Sequence, residues 1–142
     1  MLTIRTAACA ILAATALAGT LASAAPRETM LIAKLTGRAE TPAAAVKGTG
    51  KFKGSVNLAT GQLCYTLTSA RLDTLTMAHI HAGAVGVAGP PVVTLSANVL
   101  TKACIPIDKD VAAKLVASPR DFSVNIHTTN YPQGAVRGQL AK

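Results

Sequence analysis

From Thr29 onward the chain reads as short stretches in which apolar and polar residues alternate, broken by Gly, Pro and Asn. A two-residue period of this kind marks strands with one face buried. Met30 to Arg38 is the first predicted strand. Gly50 to Leu58 is the second, its alternation carried by Phe52, Val56 and Leu58, and Ala59-Thr60-Gly61 supplies a turn into a third strand, Gln62 to Ser69. Leu75 to Ala82, Val92 to Leu95, Ala103 to Ile105, Phe122 to Thr128 and Ala135 to Leu140 follow as further strands. The glycine-spaced segment Gly83 to Pro91 is read as a connection folding back over the sheet. It is not a phosphate-binding loop, because prolines close it and no helix start follows.

A different periodicity occurs once. Asp108 is placed to cap a helix, Asp110 adds negative charge to its first turn, and Val111, Leu115 and Val116 form an apolar stripe that stops before Pro119. Several short strands plus one short helix predict an all-β domain, a Greek-key-like β-sandwich or flattened barrel. With no Trp, two Phe and two Tyr, its core must be built from Val, Leu and Ile.

The first residues follow neither pattern. A charge-free run from Ala7 to Leu21 follows Arg5, and Ala22-Ser23-Ala24 offers small-x-small cleavage, so residues 1–24 read as a secretory signal peptide cut at Ala24 or Ala25. The run is too short and too rich in alanine for a membrane span, and none is expected after cleavage. Residues 25–142 then form one domain, secreted or periplasmic. Removal of the leader takes away Cys9 and leaves Cys64 and Cys104, an even count in an oxidising compartment, and a disulfide between them is expected.

The formal charge of +8 falls to +7 on loss of Arg5. The cations are spread along the chain and aromatic side chains for base stacking are nearly absent, so a nucleic-acid partner is not expected. Lys47, Lys51 and Lys53 make the only local cluster and read as a solvated strand face. Hydrolase chemistry finds no support: Ser96, Ser118 and Ser123 lack a nucleophile-elbow context, and six carboxylates leave few acid/base pairs.

All three histidines lie in two of the strands. Alternation puts His79 and His81 on one face with Ile80 opposite, and lines up Ser123, Asn125 and His127 against the apolar Phe122, Val124 and Ile126. Two readings are open. The first is a hydrogen-bond network in which the imidazoles, Asn125 and Thr128 satisfy one another and pin the glycine loop, with Arg137 and Gln139 joining from the last strand. The second is a metal site in which His79, His81 and His127 hold copper or zinc with an open coordination position. The short His-x-His pair and the sequence distance to His127 tilt the balance toward the network.

Five segments together resemble one family. Leu35 to Pro42, Ala78-His79-Ile80-His81-Ala82-Gly83, Gly89-Pro90-Pro91-Val92-Val93, Val124-Asn125-Ile126-His127-Thr128 and Tyr131 to Leu140 are similar to the CHRD domain, named for chordin and also found alone in exported bacterial proteins. The likeness runs from about Met30 to Leu140. It departs where Ala43 follows Pro42 in place of a second proline, and where Ser123 precedes the Val-Asn segment in place of an aromatic residue. The resemblance implies an extracytoplasmic β-sandwich of immunoglobulin-like or superoxide-dismutase-like build. The growth-factor binding of chordin belongs to a large multidomain protein and does not carry over. The His-x-His strand is also similar to the copper-binding strand of copper/zinc superoxide dismutases, but this chain has no fourth histidine from which a complete dismutase centre could be assembled. The expected function is therefore a non-enzymatic binding or structural module of the cell envelope or medium, its partner an unknown protein or envelope ligand. A copper- or zinc-binding protein is the alternative.

Overall fold

A computed structural model describes residues 28–44, 47–97 and 99–142. The expected signal peptide and cleavage site, together with Cys9, lie outside the described residues. The elements in chain order are β1 (Glu28–Thr36), a 3-10 turn (Gly37–Ala39), β2 (Thr49–Asn57), β3 (Gln62–Ala70), β4 (Leu75–Ala82), β5 (Pro91–Leu95), β6 (Val99–Pro106), α1 (Lys109–Ala117), a second 3-10 turn (Pro119–Asp121), β7 (Phe122–Thr128) and β8 (Val136–Gln139).

Turn chemistry fixes the local connections. Between β2 and β3 the Asn57 side-chain oxygen accepts from Ala59 N and Thr60 N at 3.0 and 3.2 Å, closing the hairpin. At the helix, Asp108 accepts from Asp110 N and Val111 N at 2.9 and 3.0 Å, satisfying donors that the first turn leaves free. The helix buries Ala112 and Leu115, three residues apart, against the common core.

The strands form one antiparallel sheet in the order β5-β4-β7-β8-β1-β2-β3-β6, curled into a half-barrel. The fold is thus all-β with one short helix. Because β5 and β6 are the two edges yet only residues 96–98 separate them in the chain, the edges must approach each other at one end. Ser96 N, just past β5, accordingly donates to the Tyr65 hydroxyl on β3 at 2.9 Å. The inner face holds a single core in which Leu31 and Leu35 of β1, Phe52 and Val56 of β2, Leu63 and Leu67 of β3, Ile80 of β4 and Val124 and Ile126 of β7 are all buried. At roughly 25 cal/mol per Å² of apolar surface removed from water, this aliphatic interior supplies the main favourable term for folding.

The predicted disulfide is present. Cys64 and Cys104 are direct cross-strand partners on β3 and β6, and their sulfurs are bonded at 2.06 Å. β6 extends beyond the segment 103–105 predicted for it because its pairing partner β3 is long, a non-local effect that overrides weak local pattern.

Candidate metal centre

β4 and β7 are neighbours in the sheet and run antiparallel, so alternation on each strand sends its polar set to the same outer face. The register pairs Met77 with His127, His79 with Asn125 and His81 with Ser123, and the neighbouring β8 pairs Arg137 with Asn125 and Gln139 with Ser123. The opposite faces of these strands carry Ala78, Ile80, Phe122, Val124 and Ile126 into the core. The three histidines expected to converge do so. One ligand nitrogen from each of His79, His81 and His127 lies within 4.8 Å of the others.

The outer face here is covered as well. Every residue of β7 is buried, and on its polar side Ser123 and Asn125 are almost wholly enclosed while His127 is 7 % exposed. Two connections supply the cover over the histidines. The loop after β4 is held down where Gly89 crosses Ala82, so closely that a Cβ at Gly89 would overlap the Ala82 carbonyl. Gln139 Nε2 donates to Gly83 O and Arg120 O at 2.8 and 2.6 Å, fastening the start of the same loop. The turn after β7 is held by Asp73, which accepts from Thr129 Oγ1 and Asn130 N at 2.8 Å, and by Thr128 Oγ1, which accepts from Tyr131 N at 3.2 Å.

Those covering loops orient the rings. His81 Nδ1 donates to Gly89 O at 2.7 Å, and His127 Nδ1 donates to Pro132 O at 2.9 Å. In a neutral imidazole one nitrogen donates and the other carries a lone pair, so both bonds place a lone pair on Nε2 and aim it into the cluster. A histidine that ligates a metal typically donates its other N–H to a backbone carbonyl in this way. His79 Nδ1 lies 3.1 Å from His127 Nε2, and without a cation it is the donor of that contact. The rings of His79 and His127 meet edge to face at 5.0 Å, as do those of His79 and His81 at 5.4 Å.

Asn125 is the least satisfied member. Its Oδ1 stands 3.1 Å from His81 Nε2, two acceptors facing each other when the ring is neutral, and its Nδ2 is buried without a partner. Turning the amide over would let Nδ2 donate to His81 Nε2. With the amide as placed, Asn125 Nδ2 is left out of the hydrogen-bond network around the histidines. A cation among the lone pairs of His81, His127 and His79 fits this donor set. Desolvation, followed by the neighbouring His127 and His81 rings, lowers the His79 pKa from 6.5 and favours the neutral form that binds metal.

Arg137 is buried rather than displayed. Its Nε donates to Glu40 Oε1 at 2.6 Å, its Nη1 donates to Ser123 Oγ at 2.8 Å, and both members of the ion pair are about 95 % enclosed, with relative exposures of 5 % each. Glu40 was not among the residues singled out from the sequence, although it stands in the segment Arg38-Ala39-Glu40-Thr41-Pro42. Its carboxylate fits only because Gly134 lacks a side chain, since a Cβ there would overlap Glu40 Cδ and Oε2. Among the nine acidic and histidine residues of the chain, only the three histidines gather closely enough to share an ion in the described residues.

The expected gathering of Asn125, Thr128, Arg137 and Gln139 around the histidines divides by role. Asn125 contacts His81 directly, whereas Thr128, Arg137 and Gln139 hold the loops and strands that carry the rings. No described helix is long and apolar enough to cross a membrane. No curated protein and no solved structure matches the chain. The CHRD domain model matches residues 31–140, which takes in every strand that builds the site except the first three residues of β1, and the chain belongs to the CHRD domain family.

Proposed function

We propose that this CHRD domain is an exported, non-enzymatic module that holds one transition-metal ion, copper or zinc, through His79, His81 and His127. The observation that carries the reading is the pair of bonds from His81 Nδ1 to Gly89 O and from His127 Nδ1 to Pro132 O, which present both Nε2 lone pairs to the same spot. Export is supported by the leader-like first residues and by the disulfide. Three nitrogens leave a coordination position for an external group, so the bound ion would be the natural contact point for an envelope or extracellular partner. The hydrogen bonds of the rings also tie down the loops after β4 and β7, so the same residues serve stability and binding.

The test is metal analysis of untagged protein, followed by titration of the metal-free form with Cu(II) and Zn(II). Near-stoichiometric uptake of one ion is expected, with a rise in melting temperature, since a ligand at one hundred times its Kd stabilises the folded state by about 2.7 kcal/mol. His127→Ala should abolish the uptake and lower the stability of the metal-free protein by about 1 to 3 kcal/mol, because the Pro132 carbonyl loses its donor. Uptake that survives His79→Ala and His127→Ala together would sink the metal reading.

A further inference from the structure

We infer that Met77 supplies a fourth, thioether ligand and makes the site selective for Cu(I); this rests on the metal reading above. Met77 precedes His79 by two residues on β4, and the intervening Ala78 is buried in the core, so Met77 shares the outer face with His79 and His81. It is also the direct cross-strand partner of His127. Side chains opposed in this way start about 4.5 to 5.5 Å apart at Cβ, within the reach of a flexible methionine.

Two features of its position bear on this role. It is 46 % exposed and so free to move, beside the half-buried His79 and opposite the buried His127. The pairing of β4 with β7 also shifts register between Leu75 and Met77, immediately before it. Bulges of this kind re-aim side chains and recur next to functional sites.

The chemistry of the donor set selects the ion. Three imidazoles and a thioether carry no negative charge, and no carboxylate joins the cluster among the described residues. Glu40 and Asp73, at this end of the sheet, are otherwise committed, Glu40 to Arg137 and Asp73 to Thr129 and Asn130. A neutral ligand set beneath covering loops compensates a single positive charge far better than a double one, because the cost of burying an ion rises steeply with its charge. Thioether sulfur is a soft donor that prefers Cu(I) over the harder divalent ions. A monovalent soft cation satisfies both conditions better than Zn(II) does.

The experiment compares wild-type protein with Met77→Leu, a change of similar volume at an exposed position that leaves the fold intact. Cu(I) affinity is measured anaerobically against a chromogenic chelator, with Cu(I) supplied in acetonitrile so that the Cys64–Cys104 disulfide stays closed, and Zn(II) affinity is measured in parallel. Met77→Leu should lower Cu(I) affinity by about ten- to a hundredfold, the range seen when a supporting group of a metal site is removed, while Zn(II) affinity stays within about twofold. X-ray absorption of the Cu(I) form should show a sulfur neighbour in the wild type that vanishes in Met77→Leu. Equal Cu(I) affinity in the two proteins, or an all-nitrogen copper shell in the wild type, overturns the role of Met77 and leaves the three-histidine site standing. Failure of the wild type to take up Cu(I), Cu(II) or Zn(II) overturns both.

Discussion

The outer face of the sheet is two different surfaces. On β1 and β2 the outward residues Met30, Ile32, Lys34, Lys51 and Lys53 stand in water, whereas on β7 the outward residues Ser123, Asn125 and His127 are enclosed. Strand, register and alternation are the same in both halves. The difference lies in the connections: the segment after β1, the loop after β4 and the turn after β7 fold over one half and leave the other bare. Polar groups under the cover need protein partners, and their arrangement becomes specific; polar groups on the bare half are served by water, and their arrangement carries little energy. A site can form only in the first kind of surface.

The largest expected effect tests the cover itself. Arg137→Met would leave the Glu40 carboxylate buried and unpaired, a loss of about 3 to 5 kcal/mol in urea denaturation. Adding Glu40→Leu to the same protein should restore most of that loss, because an apolar pair of similar volume removes the stranded charge. If Arg137→Met costs no more than a surface substitution, the segment at Glu40 is not sealed against β8 and the contrast between the halves fails.

The bare half is fastened by a covalent bond instead. Edge strand β6 pairs only with β3, and the cross-strand bond Cys64–Cys104 spans a sequence separation of 40 residues. Replacing both cysteines by alanine should cost about 2 to 4 kcal/mol, read as a shift in the urea midpoint. Metal uptake at the histidines should be unchanged once the protein is folded, since distant sites without shared partners act independently. A coupled loss of metal binding would show that the two halves are not separate.

This division also explains what was legible in the sequence. β4 and β7 were predicted at Leu75 to Ala82 and Phe122 to Thr128, the limits they have in the structure, because alternation and flanking turn residues agree there. The convergence of His79, His81 and His127 followed from that alternation once the strands were neighbours. Alternation says which side a residue faces and nothing about what lies above it. Hence Arg137, expected to join the histidine network from the last strand, is buried against Glu40, a partner 97 residues away. Asp73, next to β4 in the chain, holds the turn after β7 through Thr129 and Asn130, a contact that no local pattern announces. Met77 was within reach of the same argument as the histidines, two positions from His79, but its significance needed the register with His127.

The smallest expected effect probes the bare half directly. Lys34 and Lys51 are opposed across β1 and β2, both exposed, and like charges directly opposite each other repel. Lys51→Glu turns that repulsion into an attraction and should stabilise the domain by about 0.2 to 1 kcal/mol. The gain should shrink as ionic strength rises, because at physiological salt the screening length is about 8 Å and the pair lies in solvent. Thermal melts at low and high salt would read it. A destabilisation, or a gain indifferent to salt, would mean that the lysines are held by something other than water, and that this half of the outer face is no more open than the half that carries the histidines.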